Sequence, residues 1–226
     1  MYRYFVQPQI DKFNAAVTGY ELFMKQYTEN GWRPPADFTK LPTAIIADEL
    51  LKVADRLSLK MKYVAVNLNR VQLVKPEVTA AVIAVQNRVR PLRIVVEITE
   101  DRSDPVVPMG AVRAAFQQLY ARGIEISLDD VDCGENTEVT SVPLLPFVDE
   151  IKFAIQNFDQ GFANPIVPRR ISFWTSVAHQ NHLRFVLEGI EDRHDDQVAD
   201  RMGIEYRQGY YYGRPHLLRL AASDPR

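Results

Sequence analysis

Short runs of apolar, β-branched residues alternate along the chain with stretches in which apolar residues recur every three or four positions. The runs Tyr63–Leu68 and Arg93–Ile98 predict buried strands. The spacing of Ile46, Leu50 and Leu57 predicts a helix with one buried face. Because strands alternate with helices, the pattern predicts an α/β fold with a parallel sheet, and this number of units favours a closed barrel.

Glycine and proline residues mark the helix ends that this pattern requires. Pro76 stands at the predicted start of one helix, where its missing N–H would have no partner. Gly123 follows the predicted helix Met109–Arg122 and is placed to end it in a left-handed conformation. The sequence contains no repeat, low-complexity tract or linker, so we predict a single domain over residues 1–226.

Composition narrows the class of protein. With a formal net charge of −2, the chain lacks the basic surface with which proteins bind duplex nucleic acid. Its single cysteine, Cys133, excludes an internal disulfide and a cysteine-based zinc site. Residues 1–9 lack the basic-then-apolar order of a signal peptide, and no apolar run is long enough to span a bilayer. We therefore expect a soluble, cytoplasmic protein.

Polar or charged residues stand at or near the carboxyl ends of successive predicted strands. In chain order they are Glu21, Asn67, Glu97, Asp129, Asp130, Lys152, Glu188 and Gln208. In a βα barrel these strand ends meet on the face that carries the active site. Any one of these residues could be an ordinary hydrogen-bonding group, but buried like charges in this number need a compensating cation. The pattern predicts one polar site at the mouth of a barrel.

The residue types indicate which cation this site would bind. Carboxylate and amide oxygens without clustered histidines or a cysteine pair favour Mg²⁺ or Mn²⁺. The adjacent pair Asp129–Asp130 can serve two ions about 3.5–4 Å apart, an arrangement that activates water for attack on a phosphoryl centre. Lys152 can orient that water or neutralise charge in the transition state. The predicted chemistry is metal-assisted hydrolysis of a phosphodiester.

Seven short motifs follow one another along the chain: Tyr20–Leu22, Val66–Asn69, Glu97–Glu100, Asp129–Asp130, Glu150–Lys152, Glu188–Glu191 and Gln208–Pro215. Through these motifs the chain resembles the EAL domain family, which linearises cyclic-di-GMP, over nearly its full length. Because several motifs occur in the right order, the resemblance is specific. It implies a TIM-type (βα)8 barrel whose first strand is antiparallel to the others, and cyclic-di-GMP as the substrate.

The resemblance also implies a role for each matching residue. The implied metal ligands are Glu21, Asn67, Glu97, Asp129, Asp130 and Glu188. Lys152 would act near the attacking water, Gln208 would hold the polar network of the site, and Glu100 would tether the loop after Asp130. Lys25, Tyr20 and Arg214 would contact the substrate. Two ions, Mg²⁺ or Mn²⁺, are the implied cofactors.

Four departures from the family pattern leave two hypotheses open. Lys25 replaces the usual arginine at the substrate phosphate, and Asn69 replaces a serine. The loop Val131–Gly134 differs from Phe-Gly-Thr-Gly, and Ala154 stands where an aspartate is common. The first hypothesis is an active phosphodiesterase. The second is a catalytically silent domain that binds cyclic-di-GMP or a protein. A homodimer is possible, since the family uses this loop for pairing.

Overall fold

Eight strands close into a barrel within residues 1–102, 105–221 and 224–225, which the computed structural model describes. The strands of the sheet are β1 (Tyr2–Asp11), β2 (Ala16–Thr28), β3 (Gly31–Arg33), β4 (Tyr63–Leu68), β5 (Arg93–Ile98), β6 (Glu125–Leu128), β7 (Glu150–Ala154), β8 (Arg184–Glu188), β9 (Tyr206–Arg207) and β10 (His216–Leu217). The barrel consists of β1, β2 and β4 to β9 in that order. Both β3, which pairs with β2, and β10, which pairs with β1, lie outside the ring.

Strand β1 runs antiparallel to both of its neighbours in the barrel. Gln7 pairs with Glu21 on β2, and Ile10 pairs with Arg207 on β9. Every other adjacent pair in the ring, from β2 to β9, is parallel. The predicted TIM-type barrel with an antiparallel first strand is confirmed.

Helices follow the strands and cover the outside of the barrel. They are α1 (Thr43–Leu57), α2 (Arg70–Leu73), α3 (Pro76–Val89), α4 (Met109–Tyr120), α5 (Glu138–Ser141), α6 (Val167–Gln180) and α7 (Arg193–Arg201). Short 3₁₀ turns join several of these elements, for example Phe38–Lys40 ahead of α1 and Ile155–Asn157 after β7. Within the described ranges, none of the helices combines the length and the apolar character that crossing a membrane requires.

Alternation along each strand separates the main hydrophobic core from the barrel interior. On β4, Val64 and Val66 belong to the large core between the sheet and the helices. The alternate residues Tyr63 and Ala65 face inward, where they pack with Val95 of β5 in a small apolar cluster. Buried polar side chains, among them Gln9, Glu97 and Lys152, also lie within the sheet.

The sequence predicted β4 and β5 with the bounds that the structure has, while other elements differ at their ends. Gly123 has a φ of +68° and ends α4, as predicted. Lys152, however, does not end its strand: β7 continues to Ala154, and Lys152 lies in its middle with a fully buried side chain. Its ammonium group therefore lies inside the barrel among the strand ends.

Candidate metal centre

Four carboxylates converge on the ammonium group of Lys152. The Nζ atom lies 3.2 Å from Glu21 Oε2, 3.2 Å from Glu97 Oε1, 3.0 Å from Asp129 Oδ1 and 2.9 Å from Glu188 Oε1. The four acids come from β2, β5, β8 and the residue that follows β6, so the closed barrel alone brings them together. A single buried cation thus holds four acidic side chains at the mouth.

Amide side chains fix the orientation of the Glu21 carboxylate. Asn67 Nδ2 donates to Oε1 at 2.8 Å, and Gln208 Nε2 donates to Oε2 at 2.5 Å. Gln208 also donates to Gln7 Oε1 at 3.1 Å, and Gln7 donates to the carbonyl of Gly213 at 2.9 Å. Strands β1, β2, β4 and β9 are thereby joined by one hydrogen-bonded network beside Lys152.

The acidic residues form two groups that share Asp129. In the first group, oxygens of Glu21, Glu97 and Asp129 lie within 4.8 Å of one another. In the second, oxygens of Glu100, Asp129 and Asp130 meet the same limit. Each group offers the spacing of ligands around one cation, and the shared aspartate places the two groups side by side.

The electrostatic environment differs among these acids. Burial, reinforced by the charge of Glu21, raises the pKa of Glu97 well above its usual range. Burial likewise raises the pKa of Glu188 well above its usual range and that of Asp129 to about 7. Although burial opposes the ionisation of Glu21, Lys152 and the two amide donors lower its pKa. Glu21 is therefore the carboxylate that the fold holds in its charged form.

Several oxygens at the site fit a divalent cation. Within the described residues, Asn67 Oδ1, Glu97 Oε2 and Asp130 Oδ1 are buried and accept no hydrogen bond. Buried acceptors are normally satisfied, so unpartnered oxygens at the edge of an acidic cluster indicate a missing positive partner. All of them are hard donors, which suit Mg²⁺ or Mn²⁺. The residues present fit a divalent metal ion.

Three residues of the loop after β6, which lies beside the site, have left-handed backbone conformations. Asp130 has a φ of +46°, Asp132 of +74° and Gly134 of +48°. A Cβ atom on Gly134 would lie 1.9 Å from the carbonyl oxygen of Glu100, so the loop packs directly on that residue. The amide of Glu135 donates to the same carbonyl at 2.7 Å. Glu100 thus contacts this loop through its backbone, while its carboxylate belongs to the second acidic group.

Two cavities open from the acidic cluster. The larger, of about 440 Å³, has apolar walls that include Tyr4, Met24 and Phe38. The smaller, of about 280 Å³, has polar walls that include Gln156 and Glu191. The cavities share the following lining residues: Glu21, Phe23, Asp129, Tyr210 and Pro215. The acidic cluster therefore lies at the junction of an apolar and a polar cavity.

The three residues predicted to bind substrate lie apart from the acidic cluster. Lys25 lines the larger cavity, and its ammonium lies 4.1 Å from the ring centroid of Phe5. Arg214 lies over the ring of Tyr210, 4.1 Å from its centroid. Tyr20 packs against the hydrophobic core and lines neither cavity. The structure brings together the remaining predicted residues: Glu21, Asn67, Glu97, Glu100, Asp129, Asp130, Lys152, Glu188 and Gln208.

Sequence reasoning missed two glutamines on β1. Gln7 holds Gln208, and the fully buried Gln9 lies with its Nε2 3.5 Å from Glu97 Oε1. Both occupy alternate positions of an antiparallel strand, where side chains of the same parity point into the barrel. This alternation of polar residues was the signal that could have placed them at the site.

Comparison with known proteins supports the same architecture. The sequence model of the EAL domain family matches residues 2–215. The bifunctional diguanylate cyclase/cyclic di-GMP phosphodiesterase MucR of Pseudomonas aeruginosa is 23% identical over 92% of this chain and 32% of its own length. The chain therefore spans about a third of that relative.

Two solved structures share the fold. The MucR phosphodiesterase in complex with c-di-GMP is 23% identical, with a TM-score of 0.75 over 96% of this chain and 97% of that one. The manganese and cyclic-di-GMP complex of BlrP1 from Klebsiella pneumoniae is 17% identical, with a TM-score of 0.78 over 96% of this chain and 56% of that one. Since the family match covers almost all of a barrel with this strand order and this acidic mouth, the chain belongs to the EAL domain family.

Proposed function

We propose that this chain hydrolyses cyclic-di-GMP to linear pGpG by cleaving one phosphodiester at the acidic cluster. The observation that carries the proposal is the convergence of Glu21, Glu97, Asp129 and Glu188 on Lys152, beside a second acidic group that shares Asp129. Two adjoining groups of hard oxygen donors suit the two-ion arrangement of phosphodiester cleavage. The family membership and the c-di-GMP complex of MucR add support.

The proposed cofactors are two Mg²⁺ or Mn²⁺ ions. Their ligands would be Glu21, Asn67, Glu97, Asp129, Asp130 and Glu188. When bound, the ions supply an activated water and stabilise the charge on the phosphoryl oxygens. The unpartnered oxygens of Asn67, Glu97 and Asp130 are the atoms available for this purpose. The manganese complex of BlrP1 is consistent with this choice of metal.

Lys152 would act as a fixed positive charge. Burial alone would lower its pKa, but the surrounding carboxylates, first Asp129 and then Glu188, raise the pKa well above its usual range. The ammonium therefore remains protonated at neutral pH and donates hydrogen bonds rather than accepting a proton. It would orient the attacking water and offset negative charge that develops at the phosphate. Gln208 and Asn67 would keep Glu21 in its present orientation.

The two cavities offer room for a cyclic dinucleotide on either side of the acidic cluster. A phosphodiester at the junction, next to Glu21 and Asp129, would place one base toward the apolar walls of the larger cavity and the rest of the molecule toward the polar one. Cavities of a few hundred Å³ are typical of small-molecule sites. The proposed location is the cytoplasm, where such a nucleotide signal would be found and where a lone Cys133 would stay reduced.

The direct test is incubation of the purified protein with cyclic-di-GMP and Mn²⁺, with the product separated by chromatography. The wild-type chain should release linear pGpG, and chelation by EDTA should stop the reaction. The variant Glu21→Gln, which keeps the shape of the side chain but removes its charge, should form at least about 100-fold less product. Equal turnover by this variant and the wild type would contradict the proposed site.

One observation favours a second candidate, a receptor that binds cyclic-di-GMP without cleaving it. The ammonium of Lys25 is engaged by the ring of Phe5, and lysine lacks the planar fork with which arginine holds a phosphate. Calorimetry with saturating Mn²⁺ separates the candidates, because a receptor would bind the nucleotide tightly without forming product. In the enzyme, Lys25→Arg should lower KM and leave kcat unchanged, since it strengthens binding of ground state and transition state alike.

A further inference from the structure

A buried arginine joins two of the loops that carry the acidic cluster. Arg70 begins α2, three residues after Asn67, and its side chain is only 4% exposed. Its Nη2 donates to the carbonyl of Glu135 at 2.7 Å and to Asn136 Oδ1 at 3.1 Å. Its Nε lies 3.1 Å from Glu135 Oε2. The guanidinium therefore connects the loop after β4 to the loop after β6, across the edge of the site.

The fully buried Asn136 links Arg70 to Asp129, a predicted metal ligand. Its Nδ2 donates to the carbonyl of Asp129 at 2.5 Å and to that of Ile98 at 2.8 Å. The guanidinium of Arg70 has donors only, so the oxygen of the amide must face it. Oδ1 therefore points toward Arg70, and Nδ2 points toward the two carbonyls. Arg70 and the two carbonyls thus hold the Asn136 amide in the same orientation from its two sides.

The same loop also rests on the second acidic group. Gly134 packs against the carbonyl of Glu100, to which the amide of Glu135 donates. The amide of Asn136 donates to the carbonyl of Cys133, and that of Cys133 donates to the carbonyl of Asp130 at 3.0 Å. Displacement of residues 135–136 would therefore be transmitted to both aspartates and to Glu100.

The position of Arg70 is itself fixed by a capping box on α2. Asn69 Oδ1 accepts from the amide of Gln72 at 2.9 Å, and Gln72 Oε1 accepts from the amide of Asn69 at 3.2 Å. Gln72 Nε2 also donates to the carbonyl of Phe38, whose residue lines the larger cavity. Arg70 therefore stands on a braced turn rather than on a free loop.

We infer that Arg70 is a positioning residue that sets the orientation of Asp129 and Asp130 through Asn136, and thereby sets the affinity of the acidic cluster for divalent metal. The inference rests on the metal site of the proposed function. Residues that orient metal ligands without touching the metal commonly contribute 10–100-fold in affinity. Lysine would keep the charge but not the geometry, because its single nitrogen cannot stand both where Nη2 lies, beside the carbonyl and the amide oxygen, and where Nε lies, beside the carboxylate.

The test measures binding of Mn²⁺ alone, by calorimetry, to the full chain. Arg70→Met and Arg70→Lys should both weaken Mn²⁺ binding about 10–100-fold. Arg207→Met is the matched control: Arg207 is equally buried and binds the carbonyl of Ile204 and the carboxylate of Asp196, on the outer side of β9. Its loss should lower the melting temperature but change Mn²⁺ affinity by less than about twofold, a contrast that a merely structural role of Arg70 would not produce.

A double variant tests whether Arg70 acts through Asn136. If it does, Arg70→Met combined with Asn136→Ala should bind Mn²⁺ no more weakly than the weaker single variant, because both changes break one chain of contacts. Additive losses, or unchanged Mn²⁺ affinity in folded Arg70→Lys, would overturn the inference, as would a wild-type chain that binds no Mn²⁺. A wild-type chain that binds Mn²⁺ but releases no pGpG would contradict only the proposed hydrolysis.

Discussion

The ammonium nitrogen of Lys152 lies 3.2 Å from Oε1 of Glu97, and both side chains are completely buried. The two residues come from β7 and β5, which are separated by β6, so their contact crosses the interior of the barrel. A buried ammonium group is stable only where negative charge lies close to it, and Glu21, whose pKa is lowered by Lys152, supplies such a charge. In the absence of metal, the acidic cluster therefore depends on this lysine.

Replacement of Lys152 by methionine should destabilise the metal-free protein. The change keeps most of the length of the side chain but removes the positive charge that four carboxyl groups share. Removal of one partner from a buried ion pair costs about 3–5 kcal/mol. Urea unfolding in EDTA should show a loss of this size, and added Mn²⁺ should narrow it. Lys52→Met, which removes a half-exposed lysine paired with Glu49, should cost less than about 1 kcal/mol.

Glu97→Gln should abolish the stabilisation of the protein by Mn²⁺ without lowering the stability of the metal-free protein. Burial and the charge of Glu21 raise the pKa of Glu97, which means that the fold disfavours its ionised form. A neutral amide should therefore leave the metal-free protein at least as stable as the wild type at pH 7.5, while Mn²⁺ should no longer raise its melting temperature. Thermal scans with and without Mn²⁺ measure both effects, with the exposed Glu77→Gln as control. An equal Mn²⁺ shift in variant and wild type would remove Glu97 from the ligand set.

Gly134→Ala and Gly123→Ala form a matched pair. Both glycines have positive φ, so alanine strains the backbone at each by about 1–2 kcal/mol. Only at Gly134 would the new Cβ collide with another residue, the carbonyl of Glu100, whereas Gly123 has open space. We expect both variants to lose stability and only Gly134→Ala to lose Mn²⁺ affinity, by about 10-fold or more. If calorimetry finds the same affinity for both variants, the loop does not position the site.

The sequence predicted the position of a residue well wherever that position follows from the spacing of apolar residues in its own strand or helix. Strands β4 and β5 were predicted with their true bounds because their apolar runs are short and end at polar residues. The convergence of Glu21, Glu97, Asp129 and Glu188 followed in turn, since parallel strands of a barrel share one mouth. The register of the parallel strands and the closure of the barrel are sufficient to bring these four carboxyl groups together.

Contacts between loops could not be predicted in this way. Arg70 and Asn136 are 66 residues apart, and they meet only because Asp130, Asp132 and Gly134 adopt left-handed conformations that turn the chain back toward β4. No periodic signal encodes such a path, and Asp130 and Asp132 are not glycines. Lys152 was placed at a strand end for a related reason: the apolar residues after it do not distinguish a continuing strand from a loop.

Asp224, near the carboxyl end of the chain, is the acceptor of three hydrogen bonds that favour its ionised form. Asp224 accepts from Arg3 Nε at 2.9 Å and from the amides of Leu220 and Ala221 at 2.9 and 3.0 Å. Although burial opposes its ionisation, these donors lower the pKa of Asp224 from its ordinary 3.8 to about 2. A lowered pKa stabilises the fold above the ordinary value, and this stabilisation disappears as the pH falls to about 2. At neutral pH, Asp224→Asn should therefore lose about 1–2 kcal/mol relative to the wild type.

The difference between wild type and Asp224→Asn should shrink as the pH falls below about 4, because protonation then removes the same charge from the wild-type chain. Urea unfolding at pH 7, 4 and 2.5 measures this difference directly. Asp48→Asn, on the exposed side of α1, should change stability by less than about 0.5 kcal/mol at each pH. A difference that stays constant from pH 7 to pH 2.5 would mean that the charge of the Asp224 carboxylate does not hold the terminal segment in place.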